Sequence, residues 1–331
     1  MTPSSSAATQ AGFDFHGVPV QLSYPVFSGD PLRTLLSDFG PSGSIGAGVR
    51  IELTTSRTPT SLTQAEGWEP SFCHGLAQGY SLGGRHRLSD GSSLLEIDPS
   101  RGLLRGSLHA PPLRELASGM LHVAFCLLLR EHGLFDAHAA VACVDDRALL
   151  VMGDAGSGKT TTLLALLLAG ATYLGDDRVL LRSAPAGVEL LGYPRDFHLT
   201  QETLRVHPQL HLDDDAPAAI DGKLRLDPRR AFPERFRAAF QGNITLLLPA
   251  IHAQSATTLV PLGAADALGG LLTSSATVAL EVLPHRQAQL ALLTRLANTA
   301  SAFELRLGQD LLSTPEVGGA RLVELIGHMH G

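Results

Sequence analysis

Lysine occurs only twice in these 331 residues, and one of the two closes a glycine-punctuated octet: Gly153-Asp154-Ala155-Gly156-Ser157-Gly158-Lys159-Thr160. The spacing is G-x-x-x-x-G-K-[ST], the pattern of a loop that cradles phosphate. Glycines let the backbone turn back on itself, so that successive N–H groups and the start of the following helix point at phosphate oxygens. In that arrangement Lys159 reaches the β- and γ-phosphates, the Thr160 hydroxyl ligates Mg²⁺, and Thr161 continues into the helix. A glycine-rich turn with a stray lysine is the bland alternative. It leaves unexplained why lysine is retained here while arginine supplies every other cation except Lys223.

Downstream, Gly175-Asp176-Asp177-Arg178-Val179 puts two adjacent carboxylates at the end of a short strand. Phosphoryl transfer is mostly positioning and charge stabilisation, with a base near the acceptor hydroxyl. One carboxylate of such a pair can hold Mg²⁺ and the other can take the acceptor's proton. Upstream, in Asp136-Ala137-His138-Ala139, a histidine enters the strand before the loop. Lys223, in Asp221-Gly222-Lys223, either reaches the transferring phosphate or is an exposed lysine after a D-G turn. Arg195, Arg225, Arg229 and Arg230 compete for the same role, the last two equally readable as a solvated cap.

The order His138, Lys159, Asp176, Asp177, with the D-D-R-V stretch closing a strand, resembles HPr kinase/phosphorylase and the related P-loop serine kinases, over roughly residues 134–182. Phe303-Glu304-Leu305-Arg306-Leu307-Gly308 resembles a late strand of the same family. The resemblance implies a mixed-sheet α/β core of the HPr kinase and phosphoenolpyruvate-carboxykinase-like type. It implies ATP and Mg²⁺, with Asp176 as general base, Asp177 on the metal side with Thr160, and His138 hydrogen-bonding a carboxylate. The acceptor it implies is a hydroxyl, serine expected, on a small protein or peptide. Family members form assemblies, so a homo-oligomer is left open. The glutamate-arginine-glycine signature of the bifunctional enzyme has no counterpart here. The corresponding stretch, Gly192-Tyr193-Pro194-Arg195-Asp196-Phe197-His198-Leu199-Thr200, resembles the kinase-only relatives. Two other classes fit the loop: an NTPase that drives a conformational change, and a regulatory nucleotide-binding protein. The first lacks a guanine-type N-K-x-D motif and a long apolar strand ending in aspartate.

These residues need a scaffold. From Phe135 onward short strands and helices alternate, with strands expected at 138–144, 148–152, 171–174, 178–182, 188–191, 243–248 and 257–262. Helices are expected at 158–169, 264–273, 284–299 and 316–329, and short hairpins beside one loop helix argue for a mixed sheet. Residues 18–23, 49–53, 94–98 and 102–106 read as half-buried strands, which suggests a small β-rich N-terminal domain. The expected division is a disordered tail at 1–11, the β-rich domain at 12–110 and the catalytic domain at 111–331. The longest apolar stretch, 116–129, is broken by His122 and too short to span a bilayer, and 112–132 reads as a buried helix stopped at Gly133. A net charge of −7 gives no nucleic-acid footprint and no attraction to an anionic membrane. Cys73, Cys126 and Cys143 lie far apart, with no C-x-x-C, as expected of reduced thiols in a cytoplasmic protein.

Overall fold

The computed structural model describes residues 9–24, 31–41, 48–60, 67–74, 77–109, 114–207, 210, 222–252, 254–275 and 285–328. Residues 1–8 of the expected tail, positions 112–113, 284 and 329 of the expected helices, and Asp221 lie outside that set. The chain divides into two compact units, Met1–Phe135 with Leu280–Arg286, and Asp136–Ala279 with Gln287–Gly331. The division thus falls after Phe135 rather than at 110/111. Residues 9–11, placed in the tail by composition, belong to a strand.

In the first unit the strands are β1 (Thr9–Phe15), β2 (Val18–Tyr24), β3 (Val49–Ser56), β4 (Glu69–His74), β5 (Ala77–Leu82), β6 (Arg85–Ser89), β7 (Leu94–Asp98) and β8 (Leu103–His109). They form one mixed sheet in the order β1-β2-β3-β8-β7-β6-β5-β4. Along β3 the alternation is visible in space: Val49, Ile51 and Leu53 are buried while Arg50 and Thr54 face out. The expected pairing of 94–98 with 102–106 is an antiparallel hairpin joined by a 3₁₀ turn over Pro99–Arg101. Two helices accompany the sheet, α1 (Pro31–Leu36) and α2 (Arg114–Leu129). Gly133 terminates the turn after α2 in the left-handed region, φ 70°.

The second unit contains β9 (Phe135–Ala137), β10 (Ala139–Val144), β11 (Arg147–Met152), β12 (Thr172–Gly175), β13 (Val179–Ala184), β14 (Gly187–Leu191), β15 (Phe197–Leu199), β16 (Leu224–Leu226), β17 (Ala239–Phe240), β18 (Asn243–Ile251), β19 (Thr258–Pro261) and β20 (Ser301–Leu307). Its helices are α3 (Lys159–Leu168), α4 (Gln201–Val206), α5 (Pro228–Ala231), α6 (Ala264–Ser274), α7 (Arg286–Thr299), α8 (Gln309–Ser313) and α9 (Pro315–His328). The fold is mixed α/β. A six-stranded sheet runs β12-β10-β11-β18-β20-β19, with β11, β18 and β20 parallel and the flanking pairs antiparallel. A four-stranded sheet, β17-β14-β13-β9, and the ribbon β15-β16 complete it. β10 and β11 are buried almost residue for residue, as strands covered on both faces must be.

Two junctions between these sheets matter for chemistry. The chain leaves β9 in the four-stranded sheet and enters β10 in the six-stranded one through His138. It makes the reverse crossing, from β12 to β13, through Asp176 and Asp177. Residues 39 apart in sequence therefore meet along one seam. Arg178 clamps the two crossings together through a 2.8 Å ion pair with Asp136, both side chains mostly buried.

Candidate functional site

The octet forms the turn between β11 and α3. Gly153, Gly156 and Gly158 have φ of 149°, 82° and 105°, conformations that L side chains rarely adopt. Gly158 is the residue before the first turn of α3, and that turn carries no acidic side chain to occupy its free N–H groups. The helix is held from behind by α9. A Cβ on Gly319 would fall 2.1 Å from the Ala165 carbonyl oxygen, so only glycine permits this close approach. Within the loop, the Lys159 ammonium donates to the carbonyl oxygens of Gly153 (2.7 Å) and Asp154 (3.0 Å). Burial pushes its pKa down, against the pull of the Asp177, Asp176 and Asp154 carboxylates.

The two aspartates are neighbours in sequence and opposites in environment. Asp176 is buried, and Thr160 Oγ1 donates to its Oδ2 (2.9 Å) and Oδ1 (3.2 Å). Desolvation, then the adjacent Asp177 charge, raises its pKa to about 6. Asp177 adopts φ 70°, a conformation uncommon for a residue with a Cβ and a mark of a position fixed by its surroundings. Its side chain is 47 % exposed, with Oδ1 3.1 Å from His138 Nδ1 and Oδ2 3.4 Å from Arg195 Nη1. The same Nδ1 lies 2.9 Å from the Asp177 backbone oxygen. Partial burial works to raise the Asp177 carboxyl. The His138 hydrogen bond and the Arg195 and Arg178 charges outweigh it and hold the group well below the usual carboxylate range. Gly175 makes the crossing possible, because a Cβ there would lie 2.4 Å from the Arg178 carbonyl oxygen.

All of this opens on one cavity of about 490 Å³, within the range of ordinary ligand pockets. His138, Ala155, Gly156, Gly158, Lys159, Thr160, Thr161, Asp176, Asp177 and Lys223 line it. Gly153, Asp154 and Ser157 complete the loop without facing the cavity. The remaining wall comes from His198 on β15, Thr200, Glu202, Thr203 and Val206 at α4, Ile251 at the end of β18 and Leu312 on α8. Sequence reasoning missed these seven. His198 and Thr200 fall in the 192–200 stretch, which gave them no role, the other five belong to no recognisable motif, and β15, α4 and β16 are too short to show a period. Of the competing cations, Lys223 lines the cavity, whereas Arg195 lies against Asp177. Arg229 and Arg230 stand 3.6 Å and 3.9 Å from Asp227, which caps α5. The contacts pair Thr160 with Asp176 and His138 with Asp177, whereas the resemblance puts Thr160 with Asp177.

For magnesium, the donors beside the loop are a hydroxyl and a carboxylate. These are hard oxygen ligands of the kind that ion takes alongside phosphate oxygens and water. Thr160 and Asp176 are the residues that would hold it.

No protein-family model matches the sequence, and no curated protein is matched by it. Among solved structures the chain is similar to the Hpr(Ser) kinase/phosphatase from Coxiella burnetii. The TM-score is 0.32 at 11 % identity, over 59 % of this chain and 99 % of that one. A likeness of that size marks a distant relation at most. Among the described residues, no helix is long and apolar enough to cross a membrane.

Proposed function

We propose that the protein is a kinase that transfers the γ-phosphate of ATP, with Mg²⁺, to a hydroxyl group, serine expected, on a small protein or peptide. The observation that carries this reading is the split of the aspartate pair. One carboxylate is buried on the loop threonine, and the other is half-exposed and held by a histidine, within one cavity. P-loop enzymes hold Mg²⁺ with the loop Ser/Thr and a nearby aspartate, which is the geometry of Thr160 and Asp176. Held there by Thr160 and Asp176, Mg²⁺ would supply charge neutralisation for the phosphates. In this division of labour Asp176 serves the metal side, and Asp177 with His138 serves the acceptor side. Lys159 and the N–H groups at the start of α3 bind the phosphates. Lys223, which lines the same cavity, adds positive charge where transfer occurs.

The test is direct. The full chain is incubated with Mg²⁺, γ-labelled ATP and the small-protein and peptide fraction of its host, beside the Lys159→Ala variant. Label on phosphoserine of one acceptor, absent with the variant, is the expected result. Release of inorganic phosphate with no labelled acceptor would replace transfer by hydrolysis.

A further inference from the structure

Granting the transfer reading, the fine geometry at His138 bears on which atom takes the acceptor's proton. His138 Nδ1 stands between two oxygens of one residue, the Asp177 backbone carbonyl at 2.9 Å and its carboxylate Oδ1 at 3.1 Å. The backbone carbonyl can only accept, so the hydrogen on this edge of the ring sits on Nδ1. A neutral imidazole with its hydrogen on Nδ1 has a bare Nε2. That nitrogen lies on the ring edge away from Asp177, and the His138 side chain is 44 % exposed and lines the cavity beside Lys159 and Thr160. The backbone is fixed as tightly as the ring, since His138 N–H donates to the Ser274 carbonyl oxygen at 2.7 Å. Arg195 on Oδ2 holds the far side of the Asp177 carboxylate. A carboxylate that fixes the tautomer and orientation of an imidazole, leaving Nε2 toward the substrate, is the arrangement by which an Asp–His pair activates a hydroxyl.

We propose that His138 Nε2, not either aspartate, is the general base, with Asp177 and Arg195 as positioning residues behind it. Nε2 takes the proton of the acceptor hydroxyl as that oxygen bonds to the γ-phosphorus. The bond from the γ-phosphorus to the β,γ-bridging oxygen breaks, and its electron pair leaves on ADP. The proton stays on the imidazolium, facing the Asp177 carboxylate, until solvent removes it.

Two measurements on the full chain test this. In long-range ¹H–¹⁵N spectra of histidine-labelled protein, the signal missing from His138→Asn should show hydrogen on Nδ1 and a bare Nε2. A hydrogen on Nε2 would overturn the proposal. His138→Asn keeps an amide donor near the Nδ1 position but has no Nε2. Its transfer rate should fall by about 10²- to 10⁴-fold, the usual worth of a general base, with ATP affinity unchanged. Added imidazole should restore transfer to His138→Ala in a saturable way. A His138→Asn variant that transfers within about threefold of wild type would return the base to an aspartate and leave the kinase reading standing. A wild type that labels no acceptor removes the kinase reading itself, and the base assignment with it.

Discussion

Asp176→Asn should separate the function of this site from its cost. Asp176 is 2 % exposed, next to a second carboxylate, and its pKa stands at about 6 against an ordinary 3.8. Because the folded value is the raised one, the native state takes up this proton between pH 6 and 3.8 while the unfolded chain does not. The associated stability is fully present below pH 3.8 and is lost as pH rises through 6. A displacement from 3.8 to about 6 corresponds to roughly 3 kcal/mol of cost for the ionised form at pH 8. Asparagine removes the charge and retains an oxygen to accept from Thr160. The variant, free of metal and nucleotide, should therefore be about 2–3 kcal/mol more stable than wild type at pH 8 and equal to it near pH 3.5. Urea unfolding in EDTA, followed by circular dichroism, measures the difference. Nucleotide-dependent activity should be lost at the same time. A variant that is less stable at pH 8, or whose stability difference is the same at both pH values, would refute this account of the buried carboxylate.

Other expectations follow from the same geometry. Lys159→Ala should abolish transfer and weaken nucleotide binding by at least about tenfold in a fluorescent-nucleotide titration, the scale of one lost charged hydrogen bond; unchanged affinity would detach Lys159 from the phosphates. Gly319→Ala should cost about 1–3 kcal/mol in urea unfolding, because its methyl would meet the Ala165 carbonyl behind the loop helix. Gly327→Ala on the same helix meets nothing within 4 Å and should be neutral or stabilising by up to about 1 kcal/mol. His86, buried in the first unit with Nδ1 2.8 Å from Ser81 Oγ, has its pKa lowered from 6.5 to about 4 by burial and by Arg130. The unfolded chain protonates first, so the first unit should lose up to about 3 kcal/mol as pH falls from 6.5 toward 4. Trp68-monitored unfolding at several pH values would show it, and a flat profile would contradict it.

What the sequence made legible was local. The loop helix, the strands on either side of it and the hairpin at 94–106 carry their signals within a dozen residues. Their observed bounds lie close to the expected ones, as with α3 at Lys159–Leu168 against 158–169. Elements without a period of their own were not legible. β15 and β16 are three residues each and pair residues 25 to 29 positions apart, and β4 to β6 are polar enough on both faces to hide their alternation. The site divides in the same way. Gly153 to Thr160, Asp176, Asp177 and His138 stood out by residue type, but which aspartate met Thr160 depended on the crossing at Gly175 and on the φ of Asp177. Arg195 looked like a phosphate ligand because arginines commonly are. Only the fold puts it on Asp177.

Following the γ-phosphate separates transfer from hydrolysis. With ³²P-labelled ATP, Mg²⁺ and the host's small proteins and peptides, the label is divided between acceptor and inorganic phosphate for wild type and for Thr160→Val. Wild type should place most of the consumed label on one acceptor, and Thr160→Val almost none. Consumption of ATP with all label in inorganic phosphate, or acceptor labelling unaffected by Thr160→Val, would contradict the kinase reading.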